Sequence, residues 1–114
     1  TYNIKGKIMK LLSRSEEIVL LAVWRLGGNA YGVTIKDQVS EVTGNEWTFG
    51  AIYVPLDKLT QKMYVKKIIS DPTPERGGRS KCMYELTAAG KTALKEIRLV
   101  QEKLWEDVPD VAFD

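Results

Sequence analysis

The hydrophobic pattern of this chain changes its period twice along the sequence, and these changes limit the possible folds. Up to Met63, apolar residues recur every three or four positions, as on the buried face of amphipathic helices. Residues 64–70 and 81–86 are instead β-branched or alternating, and the stretch 71–79 between them holds two prolines and two glycines. A helical period returns at residue 87. We therefore expect a mainly helical chain with one β-hairpin before its last helix.

Capping residues mark where each predicted helix begins. Ser13 and Glu16 have capping-box spacing, so the first helix is expected to run from about residue 15 to 26, up to Gly27. Residues 18–23 make nearly every face of this helix apolar, which predicts burial on most sides. The second helix covers residues 31–43, and Thr48 caps the third helix. The predicted core positions of these two helices are Tyr31, Ile35, Val39, Val42, Ile52, Leu56, Leu59 and Met63.

Two further features bear on the third helix and the hairpin. Pro55 lies inside the third helix and removes one backbone hydrogen bond, so we expect a distorted first turn but no break. In the second strand the alternation places Cys82, Tyr84 and Leu86 on the inward side. Cys82 then acts as a small buried hydrophobe, and the alternative is a reactive thiol. Thr87 caps a last helix over residues 88–106.

The composition excludes most catalytic chemistry. The chain of 114 residues has no histidine and one cysteine, which removes histidine acid/base catalysis, disulfide frameworks and the usual zinc sites. We therefore predict a protein that is not an enzyme and that has no cofactor and no metal site. The apolar run of residues 18–24 is far shorter than a membrane span, and residues 1–14 are not typical of a secretion signal. We expect a cytoplasmic protein without membrane contact.

The charge distribution points to a polyanionic partner. Residues 58–81 hold seven basic and two acidic residues, whereas the last fourteen residues hold five acidic residues and one lysine. A clustered basic segment favours double-stranded DNA as a partner, and the alternative is an ordinary solvated face. The order of helices with a hairpin before the last one is that of the winged helix-turn-helix, in which the third helix can enter a major groove. Other helical folds with one hairpin share this order.

Three blocks of sequence then resemble a known family. They are residues 30–35 (Ala-Tyr-Gly-Val-Thr-Ile), residues 48–59 and residues 77–90. Together they are similar to the PadR-like transcriptional regulators. The resemblance implies a dimeric DNA-binding repressor whose last helix, often with an N-terminal helix, forms the dimer. It also implies that Tyr53 reaches DNA, and pure packing is the alternative for this residue. The chain departs from the family pattern at Met63, where the turn after the third helix usually has glycine, and at Ser80, where a second basic residue is common.

These arguments give four predicted segments: an N-terminal amphipathic arm or helix at residues 1–14, a DNA-binding domain at 15–86, a dimerisation helix at 87–106 and an acidic tail at 107–114. The predicted DNA contacts are Thr48, Gly50, Ala51, Tyr53, Val54, Lys58, Arg76, Arg79 and Lys81. The predicted dimer interface consists of Ile4, Ile8, Leu11, Ala93, Leu94, Ile97, Val100 and Leu104. An aromatic ligand could stack on Trp105 with Trp24 beneath it, and the alternatives are interface packing for Trp105 and a core position for Trp24.

The sequence as a whole predicts a homodimeric transcriptional regulator, most simply a repressor, that binds a pseudo-palindromic operator. A small aromatic effector is expected to release it from DNA. The alternative function keeps the fold but makes it a protein-interaction module without sequence-specific DNA binding. Salt-dependent binding to duplex DNA separates the two hypotheses, because neutralising phosphates releases counterions.

Overall fold

The computed structural model describes residues 11–70 and 81–110. Four helices and one hairpin follow in the predicted order: α1 (Arg14–Leu26), α2 (Gly32–Thr43), α3 (Phe49–Gln61), β1 (Val65–Ile69), β2 (Cys82–Leu86) and α4 (Ala88–Trp105). A 3₁₀ turn, Gly27–Asn29, follows α1. The predicted interface residues Ile4 and Ile8 and the predicted wing residues Arg76 and Arg79 lie outside the described residues.

The helices begin where their capping residues predict. At the start of α1 the Glu16 backbone N–H donates to Ser13 Oγ at 3.1 Å, and the Ser13 N–H donates to Glu16 Oε1 at 2.7 Å, which completes the capping box. Thr48 accepts from the Ala51 N–H, and Thr87 accepts from the Gly90 N–H. α3 continues through Pro55 to Gln61, so the expected interruption near its start is limited to one lost hydrogen bond.

The core lies between α1, α2, α3 and the inner side of the hairpin. Its buried apolar side chains are Val19, Leu20, Ala22, Val23, Ala30, Ile35, Val39, Ile52, Leu56, Leu59, Val65, Tyr84 and Leu94. Cys82 and Leu86 pack against this core while remaining partly exposed, in agreement with the predicted inward side of β2. Burial of these side chains removes apolar surface from water and supplies the main stabilisation of the fold.

The hairpin is antiparallel, with Val65 opposite Leu86 and Ile69 opposite Cys82. The Tyr84 N–H donates to the Ala30 carbonyl at 2.7 Å, which ties β2 to the segment that enters α2. At the other end of the strand, Gly90 lies so close to the Tyr64 carbonyl and the Leu86 side chain that a Cβ atom at residue 90 would collide with both. Glycine is therefore required where α4 crosses the base of the hairpin.

Two predicted core positions are wrong, and so is the alternative core position of Trp24. Val42 is 59% exposed in the last turn of α2, at the open rim of a groove between α2 and α1. Met63 is 74% exposed and lies beyond the end of α3 with φ of 64°, in the left-handed region that favours glycine. The Tyr64 N–H donates to the Leu59 carbonyl, so Met63 occupies the glycine position of a Schellman turn. Trp24 is 38% exposed and Leu21 is 42% exposed, so the described residues cover this side of α1 only in part.

None of the helices in the described part of the chain combines the length and apolar character that crossing a bilayer requires.

Candidate nucleic-acid interface

α3 presents one face to the core and the opposite face to solvent. Ile52, Leu56 and Leu59 are fully buried, so the helix cannot rotate without exposing them. The predicted contact residues Thr48, Gly50, Ala51, Tyr53, Val54 and Lys58 are all exposed on the remaining surface. A helix held on one side and open on the other has the arrangement that an element entering a DNA groove needs.

Tyr53 lies between α3 and α2. Its ring and hydroxyl rest directly on Gly32, so closely that a Cβ atom at residue 32 would overlap them. The ring also stacks on Phe49, with centroids 6.3 Å apart and planes inclined by 24°. Tyr53 therefore packs on α2, as in the packing alternative, while part of its ring stays exposed; its contact with DNA remains a prediction.

Two lysines lie over aromatic rings, one over Phe49 of this stack and one over Tyr31 just before α2. Lys36 Nζ stands 5.4 Å from the centre of the Phe49 ring, and Lys81 Nζ stands 4.0 Å from the centre of the Tyr31 ring. Cation–π contacts of this kind restrict a flexible ammonium group while leaving it available to an anion. Lys81 was predicted as a DNA contact, whereas Lys36 has no sequence signal beyond a lysine on a polar helix face.

Glu16 connects the start of α1 to the end of α3. Its side chain is only 5% exposed, and Oε2 accepts from Lys62 Nζ at 2.8 Å. Burial acts to raise the pKa of this carboxyl, but the hydrogen bonds from Lys62 and from the Ser13 N–H and hydroxyl outweigh it and hold the pKa below its ordinary value. Glu16 is therefore ionised at neutral pH and fixes α3 relative to α1.

Tyr84 lies on the inner side of β2 and is buried in the core. Burial, together with a hydrogen bond to Cys82, raises the pKa of its phenol well above the ordinary value. Tyr84 is therefore neutral at every physiological pH. The described residues contain no group of three or more His, Cys, Asp or Glu side chains that could hold a metal ion.

The hairpin carries the segment in which the wing residues Arg76 and Arg79 were predicted. At its described end, the Ser70 N–H donates to the Lys81 carbonyl at 2.8 Å, which keeps both strands paired up to this point. Lys66 and Lys67 are exposed on β1. Successive strand residues point to opposite faces, so Lys66 and Lys67 place positive charge on both faces of the hairpin.

The predicted dimer residues lie on the opposite part of the chain. A groove of about 220 Å³ runs between α4 and the segment before α1. Its lining includes Leu11, Ala93, Ile97, Val100 and Leu104, five of the predicted interface residues. Leu94 is different, since it is only 5% exposed and packs in the core of its own chain.

The two tryptophans of the predicted ligand site do not meet within one chain. Trp24 lines a second groove of about 430 Å³ on the other side of α4, with Leu21 and Lys95. Trp105 lines neither groove and is among the most exposed apolar side chains near the end of α4. Gln101 Nε2 donates to Glu17 Oε2 at 2.9 Å and separates the two grooves.

Several solved structures have a fold similar to that of this chain. RosR from H. salinarum, in a complex structure, is 27% identical over 84% of this chain and 79% of that chain, with a TM-score of 0.65. A PadR-like transcription factor from Bacteroides fragilis is 23% identical over 80% of this chain and 82% of that chain, with a TM-score of 0.67. BpsR from Bordetella bronchiseptica, whose DNA binding is regulated by 6-hydroxynicotinic acid, is 13% identical over 94% and 75%, with a TM-score of 0.60.

No curated protein sequence matches the chain significantly. The family model of the transcriptional regulator PadR-like family matches residues 20–96, which is more than half of the chain. This match and the winged-helix neighbours show that the chain belongs to the PadR-like family of DNA-binding transcriptional regulators, which confirms the predicted winged-helix fold and the prediction that it is not an enzyme.

Proposed function

We propose that the chain acts as a homodimeric repressor that binds a pseudo-palindromic operator. In this proposal residues 15–86 bind DNA, with α3 in the major groove and the hairpin along the neighbouring backbone. Residues 87–106 pair with the same segment of a second copy. The observation that carries the proposal is α3, which is anchored by buried side chains on one face and fully open on the other.

The surface around α3 supports contact with phosphates. Lys36 stands over Phe49 at the start of α3, Lys81 stands over Tyr31 just before α2, and Lys58 is exposed along α3. Contacts with the phosphates of the DNA backbone set the register of a protein on the duplex, whereas side chains in the groove read the bases. Arg76 and Arg79 are proposed to extend the same contacts from the hairpin.

The exposed apolar side of α4 supports dimerisation. Ile97 and Val100 line an open groove, and Leu104 beyond them is 69% exposed. A second copy that covers this groove would remove these apolar side chains from water and would set two recognition helices about one DNA turn apart, roughly 34 Å. The two-fold symmetry of such a dimer requires an operator with two inverted half-sites.

Selection of bound sequences from a random duplex library tests the proposal and returns the operator. We expect a sequence with two inverted half-sites. Arg79→Ala should weaken binding to all duplexes by a similar factor, whereas Gly50→Leu should abolish operator binding because a bulky side chain blocks entry into the groove. Recovery of no enriched sequence, or an Arg79→Ala variant with unchanged nonspecific affinity, would contradict the proposal.

A small aromatic effector is the regulatory part of the proposal. Both Trp24 and Trp105 expose indole surface near α4, where a ligand between two copies would change the spacing of the recognition helices. Planar aromatic compounds should then quench tryptophan fluorescence and release operator DNA. Trp105→Ala should reduce both effects together. Aromatic compounds that bind without changing operator affinity, or that bind Trp105→Ala equally well, would exclude this site.

A further inference from the structure

The part of α3 that faces outward is apolar over its first two turns. On the side of α3 opposite its buried residues, one row of side chains points outward. This outward row consists of Gly50, Val54, Asp57 and Gln61. Hydrogen-bonding side chains in this row appear only from Asp57 onward. The N-terminal residues of a recognition helix are the ones that contact base edges, so the leading half of this row offers no side-chain donor or acceptor to them.

The polar groups near this leading half are already engaged. Thr48 Oγ accepts the Ala51 N–H at 3.1 Å as the cap of α3. The Tyr53 hydroxyl end rests on Gly32 and is directed toward α2 rather than along the outward row. The leading half of the helix exposes apolar side chains instead. Val54 is 57% exposed, and Phe49 also presents its ring to solvent.

Gly50 allows a DNA base edge to approach α3 closely. A Cβ atom at residue 50 would meet no heavy atom nearer than Thr48 Oγ, at 3.9 Å, so open space lies in front of the helix there. With hydrogen at position 50 and a branched apolar side chain one turn later, a base edge can reach van der Waals contact with Val54.

We propose that α3 recognises thymine through its C5-methyl group, with Val54 as the main specificity-determining residue and Phe49 as a second contact at the helix start. In the major groove, the methyl group of thymine is the one apolar feature that distinguishes base pairs, and apolar side chains contact it. This inference rests on the proposed function, since it requires α3 to enter the groove. It predicts at least one thymine in each half-site that is read by its methyl group alone.

Replacement of single thymines by uracil tests this inference, because uracil keeps all hydrogen-bonding groups and removes only the methyl. The operator is first obtained by selection, and each thymine is then replaced in both half-sites at constant salt. For the unaltered protein we expect a loss of about three- to tenfold in affinity at one or two positions. In Val54→Ala the penalty at the position read by Val54 should vanish, because this variant lacks the contacting methyl groups.

Val42→Ala is the matched control. Val42 is a helical valine of nearly the same exposure, 59%, but it lies on α2 beside α1 and away from α3. This variant should bind the operator as tightly as the unaltered protein and should keep the full uracil penalty. Phe49→Ala should remove the penalty at a different thymine, nearer to the outer end of the half-site.

The outcomes separate this inference from the function on which it rests. Operator binding that is insensitive to uracil at every position would overturn methyl recognition and leave DNA binding intact. A uracil penalty that persists in both Val54→Ala and Phe49→Ala would overturn the assignment to these residues. A protein that binds no duplex would contradict the proposed function itself.

Discussion

The buried carboxylate of Glu16 gives the sharpest test of how the recognition helix is held. Glu16→Gln keeps an oxygen that can accept from the Ser13 N–H, but it removes the charge paired with Lys62. A hydrogen bond between charged groups contributes about 1.5–3 kcal/mol. Because the Lys62 side chain is 38% exposed, solvent screening reduces this contribution, and we expect the free energy of unfolding to fall by about 1–1.5 kcal/mol.

The effect should depend on pH with a defined sign. The pKa of Glu16 is lowered in the folded protein, so its contribution to stability is complete above the ordinary glutamate pKa of about 4.3 and is lost as the pH falls through the lowered value. Urea unfolding followed by circular dichroism at fixed protein concentration should show the difference between the two proteins at pH 7. This difference should shrink as the pH falls below the ordinary glutamate pKa and through the lowered value.

An exposed ion pair provides the control for this prediction. Glu102 accepts from Arg98 Nε at 3.3 Å, and both side chains are mostly exposed. Glu102→Gln should change the free energy of unfolding by less than about 0.5 kcal/mol. A Glu16→Gln variant that loses no more than this control, or whose loss is the same at pH 3 and pH 7, would refute the role assigned to the pair.

Three further variants test the turn after α3, the close contact of Gly90 with the base of the hairpin, and the proposed dimer interface on α4. Met63→Gly should raise the free energy of unfolding by about 0.5–1 kcal/mol, measured by urea unfolding, because glycine adopts φ of 64° without strain. Gly90→Ala should lower it by about 1–3 kcal/mol, because the added methyl group collides with the Tyr64 carbonyl and Leu86. Ile97→Asp should sediment as a monomer and lose most of its operator affinity, whereas Lys95→Asp on the exposed side of the same helix should remain dimeric; a monomeric unaltered protein at micromolar concentration would contradict the interface.

Local signals in the sequence predicted most of the fold. The caps at Ser13, Thr48 and Thr87 are formed by residues within three positions of each other, so their spacing alone locates the helix starts. The change from helical to alternating periodicity located the hairpin in the same way. These features depend on the chain's own neighbouring residues and do not require knowledge of the packing.

Contacts between distant residues were not predictable in this way. Glu16 and Lys62 are separated by 46 positions, and nothing in a capping glutamate indicates that it also pairs with a lysine on another helix. The contact of Tyr53 with Gly32 and the exposure of Val42 and Trp24 likewise follow from how the helices cross. Met63 was placed in the core because its spacing fits the helix, although the helix ends two residues earlier in a left-handed turn.

The salt dependence of operator binding tests the central claim most directly. If each protomer places three or four of its groups on phosphates, a dimer makes about six to eight such contacts, most of them from lysine or arginine. Titration of the selected operator at increasing salt concentration should give a slope of roughly −4 to −7 for the logarithm of the association constant against the logarithm of salt concentration. A scrambled duplex should bind more weakly at every salt concentration. A slope near zero, or equal affinity for operator and scrambled duplex, would contradict a DNA-binding regulator that reads sequence through α3.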